Sequence, residues 1–549
     1  MVTNRKIAIS VLLALMVNLL NAQGATKFWI KLADKNGTPY SVSTPTAFLT
    51  QKSVNRRVAQ GVLVDQTDLP VTPAYVTQID NIANVKVLYA SKWLNSVAVS
   101  ISSTNGTVIS TATNAINSLS FVVNTNPSNK FRVVYDKEVS ENVNTHAKAQ
   151  GIIEYYGNGY DQAQQINAVC LHGYGFRGKG MTIAVMDAGF DNANNLPAFD
   201  SLFARGGVLG TRDFVEGGNS VYEDNSHGMK VLSCMAACQP SAMVGTAPDA
   251  DYWLLRTEDV ATETPSEEYN WIRAAEFSDS VGVDILTTSL GYTTYDVALS
   301  ALNHTYSGLN GKTYPMSIAA TMAVRKGMFV LNAAGNDGAG SWQFIGVPAD
   351  ADSICTVGAV NISGNYENWS SKGPTSDGRI KPDLVARGLA TWVARTTGGY
   401  EQGNGTSYAT PVLAGAIACF WQRHSTFNTM KVLDTLRKTA SNNLTPNNTM
   451  GWGIPNMCAL PVGVKEVNSM ANVFRVFPNP TTNKITVMVT DKSYEVQTIE
   501  LRNVLGAVLK TITITSDETV IDLNSYANGV YFIKVNTKAG SSTQKIVKE

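Results

Sequence analysis

Charge is scarce in this 549-residue chain: Asp, Glu, Lys and Arg make up 16% of it, and 43 basic residues balance 43 acidic ones. No basic run stands out. Binding nucleic acid or an anionic membrane surface needs clustered Lys and Arg, so neither partner is expected. Cysteines are few, six in all, and Cys234 and Cys238 have no second CxxC-like pair or nearby histidine, which argues against zinc. Beyond the N-terminus no apolar run reaches the roughly 20 residues that a spanning helix requires. No cysteine follows the N-terminal apolar core, so a lipid-anchored mature end is not expected. Hydrophobic residues, at 44%, exclude a disordered chain.

What is present begins with an export signal. Arg5 and Lys6 precede an apolar stretch over 7–20, and Asn21-Ala22-Gln23 offers a small residue for cleavage. Residues 1–22 are therefore read as a signal peptide in preference to a membrane anchor. Six cysteines in an exported chain permit disulfides, in any of about fifteen pairings that sequence cannot choose among. Cys234 and Cys238 are expected near the end of one helix, a poor geometry for a bridge, so buried thiols or structural bridges are the preferred account.

The length implies two to four domains. Residues 24–136 read as a small α/β domain. It has strands over 28–32, 85–89, 96–101 and 120–123, and helices over 46–59, 73–82 and 109–119. That order predicts a split βαβ unit on one sheet. Residues 137–157 are polar and aperiodic, as a linker and processing region would be. Over 158–462, near-continuous apolar runs (181–186, 252–255, 283–286, 327–331, 354–360) alternate with small-residue helices. Such runs predict a parallel sheet covered by helices on both faces. A linker at 463–472 leads to residues 473–549, where short Thr/Val/Ile-rich segments between turn signals predict an all-β sandwich.

Four residues then stand out by position. Asp187 ends the run 181–186, and catalytic groups of open α/β sheets gather beyond the carboxyl ends of strands. His227 opens the helical pattern that follows Ser226. Asn336 follows the strand 327–331 in Asn332-Ala-Ala-Gly-Asn336. Ser407 lies in Gly405-Thr-Ser-Tyr-Ala-Thr-Pro411, at the start of an apolar helix, where free N–H groups and the helix dipole favour negative charge. Pro411 is expected in the first turn, where its missing N–H costs little.

These stretches, in the order Asp, His, Asn, Ser, resemble the signatures of subtilisin-family serine proteases. The resemblance covers about residues 160–460 and includes the closing Gly451-Trp-Gly-Ile-Pro-Asn456. It implies a catalytic triad of Asp187, His227 and Ser407, with the Asn336 amide and the Ser407 N–H as oxyanion donors. It further implies that Ser289-Leu290-Gly291 pairs with substrate backbone. Ala188 departs from the family's usual Ser or Thr, which predicts one missing hydrogen bond to the Asp187 carboxylate. Met229 and Tyr408 also depart, which bears on pocket shape. His146, His172, His304 and His424 are read as structural. The implied activity is a secreted serine endopeptidase acting on proteins or peptides as a monomer. No cofactor is required, and structural calcium is left unassigned, with the loop 191–195 a weak candidate. The rival function is a surface adhesin or inactive pseudoprotease on the same fold; an esterase or peptide ligase is a third.

The flanks carry resemblances of their own. The N-terminal unit is similar in element order to subtilisin propeptides, which makes the chain a zymogen. Val476-Phe-Pro-Asn-Pro480, Asn528-Gly-Val-Tyr-Phe-Ile-Lys-Val535 and Gln544-Lys-Ile-Val-Lys548 resemble the type A sorting domains of the type IX secretion pathway. That resemblance implies partnership with the type IX machinery, and export through the periplasm and outer membrane of a Gram-negative bacterium to the medium or the cell surface.

Overall fold

A computed structural model describes residues 26–103, 105–128, 151–296, 300, 302–459, 474–490, 496–504, 506–514, 516–537 and 540–549. The expected signal peptide, most of the 137–157 processing region and the 463–472 linker lie outside them. The chain divides into two compact units, 1–461 and 462–549.

The first unit opens with a four-stranded antiparallel sheet in the order β2-β3-β1-β4, from β1 (Thr26–Leu32), β2 (Val85–Ser91), β3 (Ser96–Ile101) and β4 (Val122–Ser128). This is the split βαβ arrangement. Helices α1 (Gln51–Gln60), α2 (Pro73–Asp80) and α3 (Gly106–Asn117) accompany the sheet. The expected helix over 46–59 is corrected. A 3-10 turn covers Pro45–Ala47, and α1 starts only after Thr50, whose side chain accepts the Ser53 N–H as N-cap. Ile30, Leu32, Ile79, Val97, Val99 and Ile116 form the core.

The rest of the first unit is built on a seven-stranded parallel sheet. Its strands are β5 (Thr182–Asp187), β6 (Val208–Asp213), β7 (Asp251–Arg256), β8 (Ile285–Thr288), β9 (Phe329–Ala333), β10 (Cys355–Val360) and β11 (Leu384–Arg387). Their order is β11-β10-β9-β8-β5-β7-β6. Each residue of β5 is buried, because both faces are covered. Ile183 and Val185 join one core with α4 (His227–Ala236), α7 (Thr406–Arg423) and α8 (Thr429–Thr439). Ala184 and Met186 join the other, with α5 (Pro265–Val281) and α6 (Pro315–Arg325). The order reverses at β5, so Asp187 ends a strand at the topological switch point, where open α/β sheets leave a crevice.

Strands β8 and β9 start two residues later than their apolar runs suggest, for a shared reason. Gly282 and Gly327 adopt positive φ after α5 and α6, and the next N–H, of Val283 or Met328, bonds back to Ser278 or Ala323. The first apolar residues of each run thus close a helix. Of the six cysteines, Cys170 and Cys458 form a disulfide, tying the approach to the sheet to the end of the unit, and the other four are free thiols.

The N-terminal domain docks on α5 through buried charge. Asp279 pairs with Arg56 (2.6 Å), Arg57 (2.8 Å) and Lys92 (3.3 Å), and Asp68 with Arg57 (2.9 Å) and Lys326 (3.0 Å). The Glu276 carboxylate accepts the Ser91 hydroxyl and the N–H groups of Lys92 and Trp93.

The second unit is an antiparallel sandwich. A three-stranded sheet (Phe474–Phe477, Lys484–Val489, Glu518–Asp522) and a four-stranded one (Val508–Thr513, Val496–Arg502, Gly529–Thr537, Gly540–Lys548) share one core. Val476, Val487, Ile499, Ile533 and Ile546 are among its members.

Candidate active site

Three element ends meet over the switch point. Asp187, 0% exposed, closes β5, and its Oδ1 accepts from His227 Nδ1 at 2.7 Å and from the Ala188 N–H at 2.8 Å. A Cβ on Gly228 would stand 2.4 Å from the Gly189 carbonyl and 2.8 Å from the Asp187 Cβ. Only glycine lets α4 come this close and present His227 to the strand end. The His227 N–H is held by Asn225 Oδ1 at 2.7 Å, and its side chain is 27% exposed. The other Asp187 oxygen, Oδ2, is buried with no hydrogen-bond partner among the described residues. Ala188, lacking a hydroxyl, offers it none.

Ser407 is the second residue of α7, so its N–H belongs to the first turn, whose donors have no partner within the helix. The expectation for Pro411 is corrected: it is the sixth helical residue, inside α7. Its missing N–H frees the carbonyl four residues back, that of Ser407. Ser289 Oγ donates to that carbonyl at 2.8 Å, and Ser407 Oγ donates to the Ser289 carbonyl at 3.0 Å. The proline is therefore tolerated because a side chain from the end of β8 takes up the vacated bond. The same reciprocal pair fixes Ser407 against the 289–291 segment.

Asn336 comes to the same place from the end of β9. Its Oδ1 accepts both the N–H and the hydroxyl of Thr406 at 3.0 Å each. With the oxygen so committed, the Nδ2 is the group left to face the site. A Cβ built on Gly405 would lie 3.7 Å from Asn336 Nδ2 and 3.6 Å from the Ser407 nitrogen. Two donors thus converge on the space beside Gly405, whose φ of 154° and ψ of 150° are essentially glycine's alone.

The cleft encloses about 830 Å³ and is lined by His227, Ser289, Leu290, Gly291, Glu258 and Glu263, among others. Leu290 offers its carbonyl to Asn332 Nδ2 at 3.0 Å, and Tyr292 pairs with Val347 in both directions at 2.9 Å. The segment is therefore a held edge. His227, Ser289, Leu290 and Gly291 line the cleft, while Asp187 is held by His227, Ser407 by Ser289, and Asn336 by Thr406 beside Ser407. Tyr408 is buried under Gly403, its ring 6.0 Å from that of His227.

Two other histidines have side-chain hydrogen-bond partners. His172 Nδ1 meets the Tyr156 hydroxyl at 2.6 Å and its Nε2 the Thr246 carbonyl at 3.0 Å, and burial pushes its pKa down to about 4. His304 pairs with Glu268 at 2.7 Å. Burial also lowers the pKa of His424. His146 lies outside the described residues. Sequence reasoning missed Thr406, the residue that orients Asn336; its adjacency to Ser407 was the available signal. It also missed the acidic wall of Glu258 and Glu263, for which 258–268 carries five acids.

Comparison with known proteins covers most of the chain. Residues 178–453 match the subtilase family, residues 27–146 a peptidase S8 propeptide domain of Bacteroidota, and residues 475–549 a secretion system C-terminal sorting domain. Subtilisin E of Bacillus subtilis is 33% identical over 281 residues, which are 50% of this chain and 65% of that protein. The subtilisin of Bacillus pumilus is 32% identical over 281 residues, covering 90% of its length. The alkaline elastase YaB of a Bacillus species is 28% identical over 294 residues, or 67% of its length. Among solved structures, the prenylagaramide maturation protease PagA aligns at 21% identity with a TM-score of 0.42, over 53% of this chain and 95% of that one. With a family match across half its residues and a relative of almost full coverage, the chain belongs to the subtilase family.

Proposed function

We propose that this chain is a secreted serine endopeptidase that cleaves proteins or peptides through an acyl-enzyme on Ser407. The observation that carries the reading is the 2.7 Å Asp187–His227 pair at the switch point, with a helix-N-terminal serine hydrogen-bonded to Ser289 of the cleft that His227 lines. In this mechanism Ser407 Oγ rotates from the Ser289 carbonyl to His227 Nε2, which takes its proton as the oxygen attacks the scissile carbonyl. Asp187 keeps the proton on Nδ1 and stabilises the imidazolium. Asn336 Nδ2 and the Ser407 N–H receive the oxyanion. The C–N bond then breaks, the amine leaves with the proton from His227, and water repeats the sequence to release the acid. No cofactor enters these steps. The 289–291 edge supplies backbone hydrogen bonds to an extended substrate.

The same proposal assigns the flanks. Residues 1–22 direct export, 24–136 occupy and inhibit the peptidase of 158–462, and self-cleavage falls within 137–157. Residues 463–472 link to the 473–549 domain, which the type IX machinery reads on the way to the medium or the cell surface. The test is fluorophosphonate labelling of the processed protein. Labelling of wild type and none of Ser407→Ala is expected, together with retention of the N-terminal domain by the variant. An unlabelled, folded wild type would make the chain a pseudoprotease or adhesin.

A further inference from the structure

We propose that the carboxylates of Glu258, Glu263 and Glu267 form a calcium site in the wall of the substrate cleft. One carboxylate oxygen of each lies within 4.8 Å of those of the other two. Calcium takes oxygen ligands at about 2.3–2.6 Å, so ligands on opposite sides of one ion stand about 5 Å apart, and these three fit around a single centre.

The three acids come from one short stretch, placed there by the ends of β7 and α5. Glu258 follows β7 by two residues, Glu263 lies in the connecting loop, and Glu267 is the third residue of α5. Glu267 is 1% exposed and Glu258 9%. The capping box of α5 uses only half of Glu267: Oε2 accepts the Thr264 N–H at 2.8 Å, while Oε1 is buried with no hydrogen-bond partner among the described residues. A buried carboxylate oxygen without a donor, on a residue clustered with two further acids, is costly unless a cation meets it.

The surrounding charge makes matters worse. Asp296 and Glu268 act on Glu263, and Glu258, Glu263 and Asp259 on Glu267, so acidic charge crowds the centre. Glu268 is already paired with His304, and the Asp296 N–H donates to the Glu263 carbonyl at 3.0 Å. Lys27 interacts with Asp259 and Glu267, but its Nζ donates to Ser266 Oγ at 3.0 Å. An all-oxygen donor set selects calcium or magnesium over zinc. An irregular set on a loop suits calcium better than magnesium, which demands near-octahedral geometry.

The consequence is mechanical. Glu258 and Glu263 line the cleft beside His227 and the 289–291 edge. An ion tying both to Glu267 pins the 257–264 loop, and with it one wall of the cleft.

The test uses the full chain carrying Ser407→Ala, which cannot digest itself, and counts bound calcium by equilibrium dialysis. Further single substitutions, Glu263→Gln and Glu267→Gln, are each expected to lose one ion per chain, so sites elsewhere cancel in the difference. Tyr292 donates its hydroxyl to Glu258 Oε2, so terbium at this site should show tyrosine-sensitised emission that both variants lose. Calcium should also slow amide exchange of 257–264 in the parent alone. Should Glu267→Gln fail to fold, the half-exposed Glu263 carries the comparison. An unchanged ion count in folded variants overturns the proposal. A substrate library read by the active enzyme covers the other occupant: a preference for Lys or Arg that Glu263→Gln abolishes, with no change in ion count, would assign the acids to a substrate side chain and overturn the calcium site. Ion counting does not depend on turnover, so an inactive enzyme that still loses one ion would refute the peptidase reading and leave this one standing.

Discussion

Replacing Asp279 with Asn should loosen the N-terminal domain from the subtilase domain without disturbing either core. Asp279 is 0% exposed and is the shared acid of Arg56, Arg57 and Lys92, all contributed by the N-terminal domain. Asparagine keeps the shape but leaves three cations, each at most 11% exposed, with Asp68 as the remaining acid on Arg57. Removing one partner of a buried pair costs about 3–5 kcal/mol, which at about 1.36 kcal/mol per decade is roughly 160- to 5,000-fold in the docking equilibrium. The Glu276 contacts remain and set the residual affinity. The assay is hydrogen exchange of α1 in the full chain with Ser407→Ala, where exchange should speed up by at least about 100-fold in the variant, on the same arithmetic. A pH series adds a second readout. Burial alone would push the Asp279 carboxyl up, but Lys92, Arg56 and Arg57 hold it down to about 2, against 3.8 for a free side chain. A depressed carboxyl contributes stability that is fully present above about 3.8 and is lost as pH falls through about 2. Glu276, raised by burial, titrates in the opposite sense, so the difference between parent and Asp279→Asn isolates Asp279. Equal exchange in both proteins at neutral pH would show that the network contributes nothing to docking.

Three further outcomes are expected. Asn336→Asp keeps the acceptor for Thr406 but removes the Nδ2 donor, so kcat should fall about 100- to 1,000-fold with little change in KM; unaltered kcat would remove Asn336 from the oxyanion site. Ala188→Ser offers the orphaned Asp187 Oδ2 a hydroxyl and should raise stability by about 0.5–1.5 kcal/mol in urea titrations, and a midpoint that stays put or falls would argue against the missing bond. Cys170→Ser with Cys458→Ser opens a cross-link spanning 288 residues and should cost about 2–5 kcal/mol; an unchanged denaturation midpoint would show that the bridge does not restrain the unfolded chain.

Much of the architecture was legible in the amino-acid order, because it rests on local patterns. Runs such as 181–186 are apolar without alternation since both faces of β5 are covered, and period alone reports that. The sandwich announced itself through short Thr/Val/Ile-rich segments between turn signals, and Asp187, His227, Asn336 and Ser407 drew notice by standing at strand ends and helix starts. Boundaries were less legible. Val283 and Met328 look like strand residues but serve as helix closures, because a left-handed glycine before each turns the next N–H back onto the helix. Pro411 looked like a first-turn residue because nothing nearby reveals that Ser289, 122 residues earlier, accommodates the vacated carbonyl of Ser407. The Cys170–Cys458 bridge, the Arg56–Arg57–Asp279 network and the Thr406 grip on Asn336 likewise join parts of the chain far apart in sequence. Local pattern is set by how one segment meets water and its own backbone. Pairings of this kind are decided only when the parallel sheet brings distant segments to one edge, where a buried charge or an unpaired carbonyl must find its partner.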